Sequence, residues 1–300
     1  MAEKCPGQVF DLGYRRYDGL REGRRRSRLS LFKNGVRSAL GLGRGGRAKI
    51  VPWLFIAAAM IPALVFALVA GAVDRVAPDF DEALDLPSHA DYYGVAGVIL
   101  LLFAAIVGPE LVCPDRRNGL ISLYLVRPIT RLDYGAARWL ALLVVVLLLA
   151  YLPQLVLLAG LALGASSPGE YLADHWLDIP RFLAAGAALA VYVTTLALLA
   201  ASYTTRRSYA AAFLVGLFLI SAAVVGAVTD NVDPDVGRWI ALLSVSDVPI
   251  LVNDQIFDSS STLAAEEASR LPGGIQVGWY LLVLAATGGL LAQRFRRLEA

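Results

Sequence analysis

The sequence predicts an all-α integral membrane protein with six transmembrane helices. Of its 300 residues, 57% are hydrophobic and only 17% are charged, whereas soluble domains carry about 25% charged residues. Six apolar runs also reach the length of about 20 residues that a helix needs to cross a bilayer. These runs lie at 50–73, 92–112, 139–163, 182–201, 209–228 and 275–292. The chain therefore divides into an N-terminal segment, 1–49, and a six-helix transmembrane domain, 50–300.

The distribution of basic residues orients these helices. Most of the 27 lysine and arginine residues lie in 1–49, in the 113–138 connection, directly after the fourth span and at the C-terminal end. The opposite connections are acidic. Since the cytoplasmic connections of membrane proteins carry the excess of lysine and arginine, we expect both termini to be cytoplasmic. The preference for arginine over lysine resembles high-GC bacterial coding, so the expected location is a bacterial cytoplasmic membrane.

The segment 27–43 predicts an N-terminal amphipathic helix ahead of the first span. Leu29, Phe32, Val36 and Leu40 recur at helical spacing, and arginine and lysine occupy other positions around the helix. Because the first span begins soon afterwards, we expect an interfacial helix rather than a cytosolic helix with a small buried face. The glycine-rich 41–46 formally matches a dinucleotide-binding pattern, but no strand precedes it, so we interpret it as a flexible hinge.

Two capping boxes indicate where the second and third spans begin. Ser88 with Asp91, and Thr130 with Asp133, are the residue pairs that close the first turn of a helix. Between the fifth and sixth spans, the apolar run 239–252 is too short to cross a bilayer and contains an aspartate and a proline. We expect it to be a re-entrant or interfacial extracytoplasmic segment, because a seventh crossing would place the arginine-rich C-terminus outside.

The sequence lacks the usual patterns of an enzyme. The two histidines, His89 and His175, lie in acidic extracytoplasmic connections, the two cysteines have no metal-site spacing, and no P-loop occurs. Apart from Glu110 the spans carry almost no ionisable groups, which argues against a proton-coupled transporter. The net charge of +2 indicates no nucleic-acid partner. We therefore expect no catalytic residue, no metal and no cofactor on this chain.

The connection between the second and third spans carries the most informative pattern, CPDRRNGLISLYLVRPITR. Pro114 suits a helix start, and Pro128 ends the helix because the residue before proline is driven out of the α region. We therefore expect one short helix over 115–126, with an apolar face that fits a groove in a protein partner. A helix lying on its own membrane surface fits the pattern equally well. The candidate residues are Glu110, Asp115, Arg116, Arg117, Leu120, Leu123, Tyr124, Arg127, Pro128 and Arg131.

These residues resemble the permease subunit of ABC-2 type exporters. The resemblance is densest over 110–138, where an acidic residue ends the second span, DRRNGLISLYL forms the short cytoplasmic helix, and RPITR leads to Tyr134 and Arg138 at the third span. The six-span layout is also similar. Leu120 stands where threonine is frequent, and Arg138 where lysine is common, which indicates a divergent subfamily.

The resemblance implies a complex of two permease chains, identical or homologous, with two copies of a separate ABC ATP-binding subunit. The partner subunit would bind ATP, and the short helix would be the coupling helix seated on it. Because the spans lack charge, the expected substrate is apolar or amphipathic, and membrane lipid surrounds the complex. The alternative function is a membrane scaffold or sensor that recruits a cytosolic partner without transport.

Overall fold

The computed structural model describes residues 23–43, 45–76, 88–126, 128–165, 167–259 and 266–297. Within these ranges the chain forms twelve helices and no strand. The helices are α1 Gly23–Ala39, α2 Arg47–Val76, α3 His89–Arg117, α4 Leu120–Leu125, α5 Arg131–Gly164, α6 Pro168–Asp174, α7 Asp178–Tyr203, α8 Arg207–Thr229, α9 Pro234–Ala241, α10 Val248–Phe257, α11 Glu266–Ser269 and α12 Gly273–Arg296.

Six of the described helices are long and apolar enough to cross a membrane, namely α2, α3, α5, α7, α8 and α12. They coincide with the six predicted spans, so the predicted multi-pass helical architecture is confirmed. In α3 and α7, 67% of the apolar window is buried inside the chain, whereas in α2, α8 and α12 the share is 17%. The bundle is therefore built around α3 and α7, with α2, α8 and α12 outside them.

The helix ends divide into two groups at opposite ends of the bundle. At one end, Arg131 at the start of α5 donates from Nη1 to the carbonyl of Arg296 at the end of α12, at 3.3 Å. At the same end, Nη2 of Arg24 on α1 lies 2.6 Å from the carboxylate of Asp133. We call this the basic end, and the end with α6 and α9 the acidic end. The beginning of α1 and the end of α12 therefore lie at the same end of the bundle. This arrangement requires an even number of spanning helices from α2 to α12.

Both predicted capping boxes are confirmed. The backbone N–H of Asp91 donates to Ser88 Oγ at 3.4 Å, and the Ser88 N–H donates to the Asp91 carboxylate at 2.8 Å. The Thr130–Asp133 box has the corresponding distances of 3.2 and 2.9 Å. Each box satisfies backbone donors that a helix start leaves without an intrahelical partner. These side chains therefore fix the start of α3 at the acidic end and of α5 at the basic end.

Helix α1 packs on α5 through small residues. Its buried positions are Leu31, Gly35 and Ala39, and a Cβ added at Gly35 would lie 2.6 Å from that of Ala141 on α5. Leu29, which was predicted for the apolar face, is exposed, and the other three predicted positions are partly buried. A helix was predicted over 27–43, and it lies instead at Gly23–Ala39. Its predicted face is shifted toward Gly35 and Ala39, because glycine and alanine permit an approach that a pattern of large apolar residues does not reveal.

The glycine-rich segment after α1 begins as an ordered helix cap. Gly41 has a φ of 68°, its N–H donates to the Ser38 carbonyl at 3.1 Å, and the Leu42 N–H donates to the Arg37 carbonyl at 2.7 Å. This pair of bonds is the Schellman motif, in which glycine readily adopts the left-handed conformation. The expectation of a flexible hinge is therefore wrong at its first residues, since Gly41 fixes the direction in which the chain leaves α1.

The apolar run 239–252 is divided between two helices. Helix α9 ends at Ala241, a turn follows, and α10 begins at Val248 and packs against α7, α12 and α3. The Tyr192 hydroxyl donates to the Val245 carbonyl in this turn at 2.7 Å. Because Tyr192 lies near the middle of α7, the turn reaches well into the bundle from the acidic end. Neither α9 nor α10 is among the described helices of spanning length.

Candidate functional site

The predicted coupling helix is two pieces rather than one. Helix α3 continues through Pro114 to Arg117, the chain turns at Asn118 and Gly119, and α4 occupies only Leu120–Leu125. Gly119 has a φ of 64°, in the left-handed region that favours glycine. The prediction of one helix over 115–126 that starts at Pro114 was therefore wrong. Side-chain contacts from the last turn of α3 hold that turn to its neighbours.

Asp115 and Arg138 form a buried ion pair that joins α3 to α5. Nη2 of Arg138 lies 2.5 Å from Oδ2 of Asp115, and the side chains are 3% and 10% exposed for Arg138 and Asp115 respectively. The Tyr134 hydroxyl donates to the same carboxylate oxygen at 2.8 Å. Removing one member of such a pair leaves an uncompensated buried charge. Asp115 therefore points into the bundle, where it fixes α3 against α5.

Tyr124 connects α4 to this ion pair. Its ring centroid lies 5.8 Å from that of Tyr134, and the Arg138 guanidinium lies 5.9 Å from the Tyr124 centroid and 5.6 Å from the Tyr134 centroid. Tyr134 in turn packs edge-on against Phe295 of α12 at 6.1 Å. Cations within about 6 Å of an aromatic centroid are attracted to the ring. Tyr124 therefore links α4 directly to α5, and through Tyr134 to α12.

Arg116 binds the C-terminal end of α7. Its Nη1 donates to the carbonyls of Ser202 at 2.5 Å and Thr204 at 3.1 Å. Arg294 of α12 donates from Nε to the same Ser202 carbonyl at 3.2 Å, and its guanidinium lies 5.0 Å from the Tyr203 ring centroid. Carbonyls at a helix end lack intrahelical donors and attract cations. Arg116, one of the candidate residues, therefore anchors α3 to α7.

Two further candidate residues also contact other helices at the basic end. Glu110 of α3 forms an ion pair with Arg207 at the start of α8, with 3.1 Å between Oε1 and Nη1. Arg131 makes the bond to the Arg296 carbonyl described above. Arg127, another arginine of the candidate set, lies outside the described residues. The structure thus brings α3, α5, α7, α8 and α12 together around the segment that carries α4.

The surface of this segment is formed by α4 and the residues beside it. Leu123 is 64% exposed and Val126 is 85% exposed, whereas Ile121 is buried and holds α4 against the bundle. The exposed neighbours of the two apolar side chains include Arg117, Ser122 and Pro128. The predicted apolar face is therefore divided, since Leu120 and Tyr124 are half-buried and Leu123 points outward. Val126 was not among the candidate residues, because it was interpreted only as the end of the helix before Arg127 and Pro128.

A basic cavity adjoins α4. It has a volume of about 440 Å³ and lies between α1 and α4, with Arg26, Lys33 and Arg37 on the α1 side and Tyr124 and Ile129 on the other. Positive surfaces attract and orient acidic partners. The exposed apolar pair of α4 therefore lies beside a surface suited to a partner with carboxylates at its rim.

The described residues contain no group of three or more histidine, cysteine, aspartate and glutamate side chains that could hold a metal ion. Comparison with protein-family models gives no match, and comparison with curated proteins finds no similar sequence. Function is accordingly inferred from the residues of this chain and from their arrangement.

Proposed function

We propose that the chain is the permease subunit of an ATP-driven exporter of ABC-2 type, with ATP bound and hydrolysed by a separate partner subunit. The observation that supports this most directly is α4. Its outer surface exposes Leu123 and Val126, and its inner surface contacts the Asp115–Arg138 pair through Tyr124. A helix that transmits movement needs both an apolar anchor for a partner and a firm connection to the spans.

In this function the partner acts on the permease mechanically. A groove on the ATP-binding subunit receives the apolar side chains of α4, as grooves receive amphipathic helices in other complexes. Movement of α4 then acts on α5 and α12 through the aromatic contacts, and movement of α3 acts on α7 through Arg116. The permease supplies two packings of similar free energy, and nucleotide binding by the partner selects between them.

The proposed topology places the basic end in the cytoplasm of a bacterial cell. The arginines of α1, the α7–α8 connection and the end of α12 support this, since lysine and arginine are retained on the cytoplasmic side. Both termini are then cytoplasmic, with α1 at the inner surface of the membrane. The turn between α9 and α10 enters the bundle from outside as a re-entrant segment, supported by the bond from Tyr192 to the Val245 carbonyl.

A second permease chain, identical or homologous, completes the proposed exporter. Helix α8 exposes Phe213, Leu219, Ile220 and Val224 along its length, whereas α3 is largely covered within the chain. The outer helix α8 is therefore the better candidate to line a path between two copies. The apolar character of this surface favours an apolar or amphipathic substrate.

The test is purification of the intact complex from native membranes, with Leu123→Asp and Val126→Asp as variants. We expect a protein that hydrolyses ATP to co-purify with the wild-type chain. Since burial of a leucine or valine side chain contributes about 1.5–3 kcal/mol, either aspartate should weaken association at least tenfold. Val236→Asp is the matched control, because Val236 is also exposed but lies on α9 at the acidic end.

Each outcome separates the two candidate functions. Loss of the ATP-hydrolysing protein in both α4 variants, with retention in Val236→Asp, supports the exporter. A partner without ATPase activity that depends on α4 indicates the scaffold or sensor instead. Undiminished ATPase association in both α4 variants, after correct membrane insertion has been verified, contradicts the coupling role.

A further inference from the structure

A second cavity lies between α5, α7 and α12, and no residue of α4 lines it. Its volume is about 420 Å³, within the range of roughly 300–1,000 Å³ that is typical of ligand sites. The residues that define it include Gly135, Trp139, Thr195, Leu284, Gly288 and Phe295. Gly135 lets the Phe295 ring pack closely on α5, because a Cβ there would lie 2.7 Å from that ring.

The residues that line this groove favour an apolar ligand. The Trp139 indole N–H donates to the Thr195 hydroxyl at 3.1 Å, and that hydroxyl donates to the Val191 carbonyl at 2.7 Å. These polar groups therefore satisfy each other and need no hydrogen bond from a ligand. The other residues that line the groove are leucine, valine, alanine, glycine and phenylalanine.

The length of the groove matches one leaflet of a bilayer. On α12 it extends from Leu284 to Phe295, roughly 16 Å at a rise of 1.5 Å per residue. The hydrocarbon core of a bilayer is about 30 Å thick, so the groove covers about half of it. A helix from a second protein would contact the full thickness. An acyl chain that enters from one leaflet fits this length better.

At the basic end, three arginines adjoin residues that line the groove. Arg131 directly precedes Leu132, which lines the groove, and Arg296 and Arg297 directly follow Phe295. All three are exposed, and the bond from Arg131 to the Arg296 carbonyl brings the ends of α5 and α12 together. Basic pockets between transmembrane helices bind the head groups of anionic lipids.

We propose that this groove is a binding site for an anionic phospholipid. One acyl chain lies between α5, α7 and α12, and the phosphate lies at Arg131, Arg296 and Arg297. The lipid belongs to the leaflet at the basic end. This site includes no residue of α4, and its occupancy does not depend on whether the chain transports a substrate.

The test is native mass spectrometry of the full-length chain, delipidated in detergent and then given phosphatidylglycerol or phosphatidylcholine with identical acyl chains. Wild-type protein is expected to retain phosphatidylglycerol in preference to phosphatidylcholine. Each of Arg131→Gln, Arg296→Gln and Arg297→Gln should reduce this preference roughly fivefold. Arg206→Gln is the matched control, because Arg206 is exposed at the same end but lies between α7 and α8.

Filling the groove tests the acyl-chain half of the site. A Cβ at Gly288 meets open space, so Gly288→Leu fills the groove without a backbone clash and should remove bound lipid of both classes. Gly289→Leu is the matched control, since Gly289 is equally unobstructed but does not line the groove. Ala292→Leu fills the same space and replaces Gly288→Leu if circular dichroism shows that the latter is unfolded.

The proposal is overturned if the filled variants retain phosphatidylglycerol as wild type does, or if wild type shows no preference between the lipids. It is also overturned if Gly288→Leu separates two copies of the chain while lipid retention is unchanged, because the occupant is then a second protein chain. The proposal is supported if lipid is lost in the variants that fill the groove but not in Gly289→Leu. Head-group preference should also fall in the three arginine variants but not in Arg206→Gln.

Discussion

Replacing Asp115 by asparagine tests how α3 is held against α5. The change keeps the shape of the side chain but leaves the Arg138 guanidinium, 3% exposed, without its counter-ion at 2.5 Å. Breaking a buried pair in this way costs about 3–5 kcal/mol. The half-exposed Arg24–Asp133 pair provides the matched control, since Arg24→Ala should cost no more than about 1 kcal/mol.

The assay is reversible unfolding of the purified chain in mixed micelles, followed by circular dichroism. The set consists of Asp115→Asn, Arg138→Met, the double variant and Arg24→Ala. Asp115→Asn leaves the Arg138 charge without its counter-ion, and Arg138→Met removes that charge. The double variant should therefore be more stable than the sum of the single effects predicts, by about 2 kcal/mol or more. Additive effects, or a cost of less than about 1 kcal/mol for Asp115→Asn, would refute the ion-pair account.

Two further predictions concern the contact of α1 and the orientation of the chain. Gly35→Leu should destabilise α1 by about 1–3 kcal/mol through overpacking against Ala141 and speed limited proteolysis within α1, whereas Gly45→Leu, where a Cβ meets nothing, should not. Ser259→Cys at the acidic end should react with an impermeant thiol reagent on intact cells, and Ser122→Cys on α4 only after lysis. The reverse labelling pattern would show that the basic end faces outward and would contradict the proposed topology.

The sequence was sufficient to predict the six spans and where two of their helices begin. Apolar length is a property of each segment by itself, and the Ser88 and Thr130 boxes are local, because each side chain bonds a residue three positions away. Such features need no knowledge of the remaining chain. The break between α3 and α4 also had a local signal, since Asn118–Gly119 is a pair that favours turns. The prediction instead placed both helix limits at Pro114 and Pro128.

The inward contacts of the candidate site could not be predicted in the same way. The partners of Asp115 and Arg116 are Arg138 and the Ser202 carbonyl, and only the packing of three helices brings them together. The available hint was one acidic and one basic residue, Asp115 and Arg138, at the adjoining ends of successive spans. Charges placed where a span enters the membrane are costly unless paired, so this combination could have indicated a pair.

The carbonyl oxygen of Ser202 has a mechanical consequence for the whole bundle. It accepts hydrogen bonds from Arg116 of α3 and from Arg294 of α12, so these two helices and α7 share a single fastening point. Sliding any one of the three past the others breaks charge-assisted bonds, whereas the solvated Glu110–Arg207 pair restrains α8 only weakly. Helices α3, α7 and α12 are therefore expected to move together, as one unit, at the basic end.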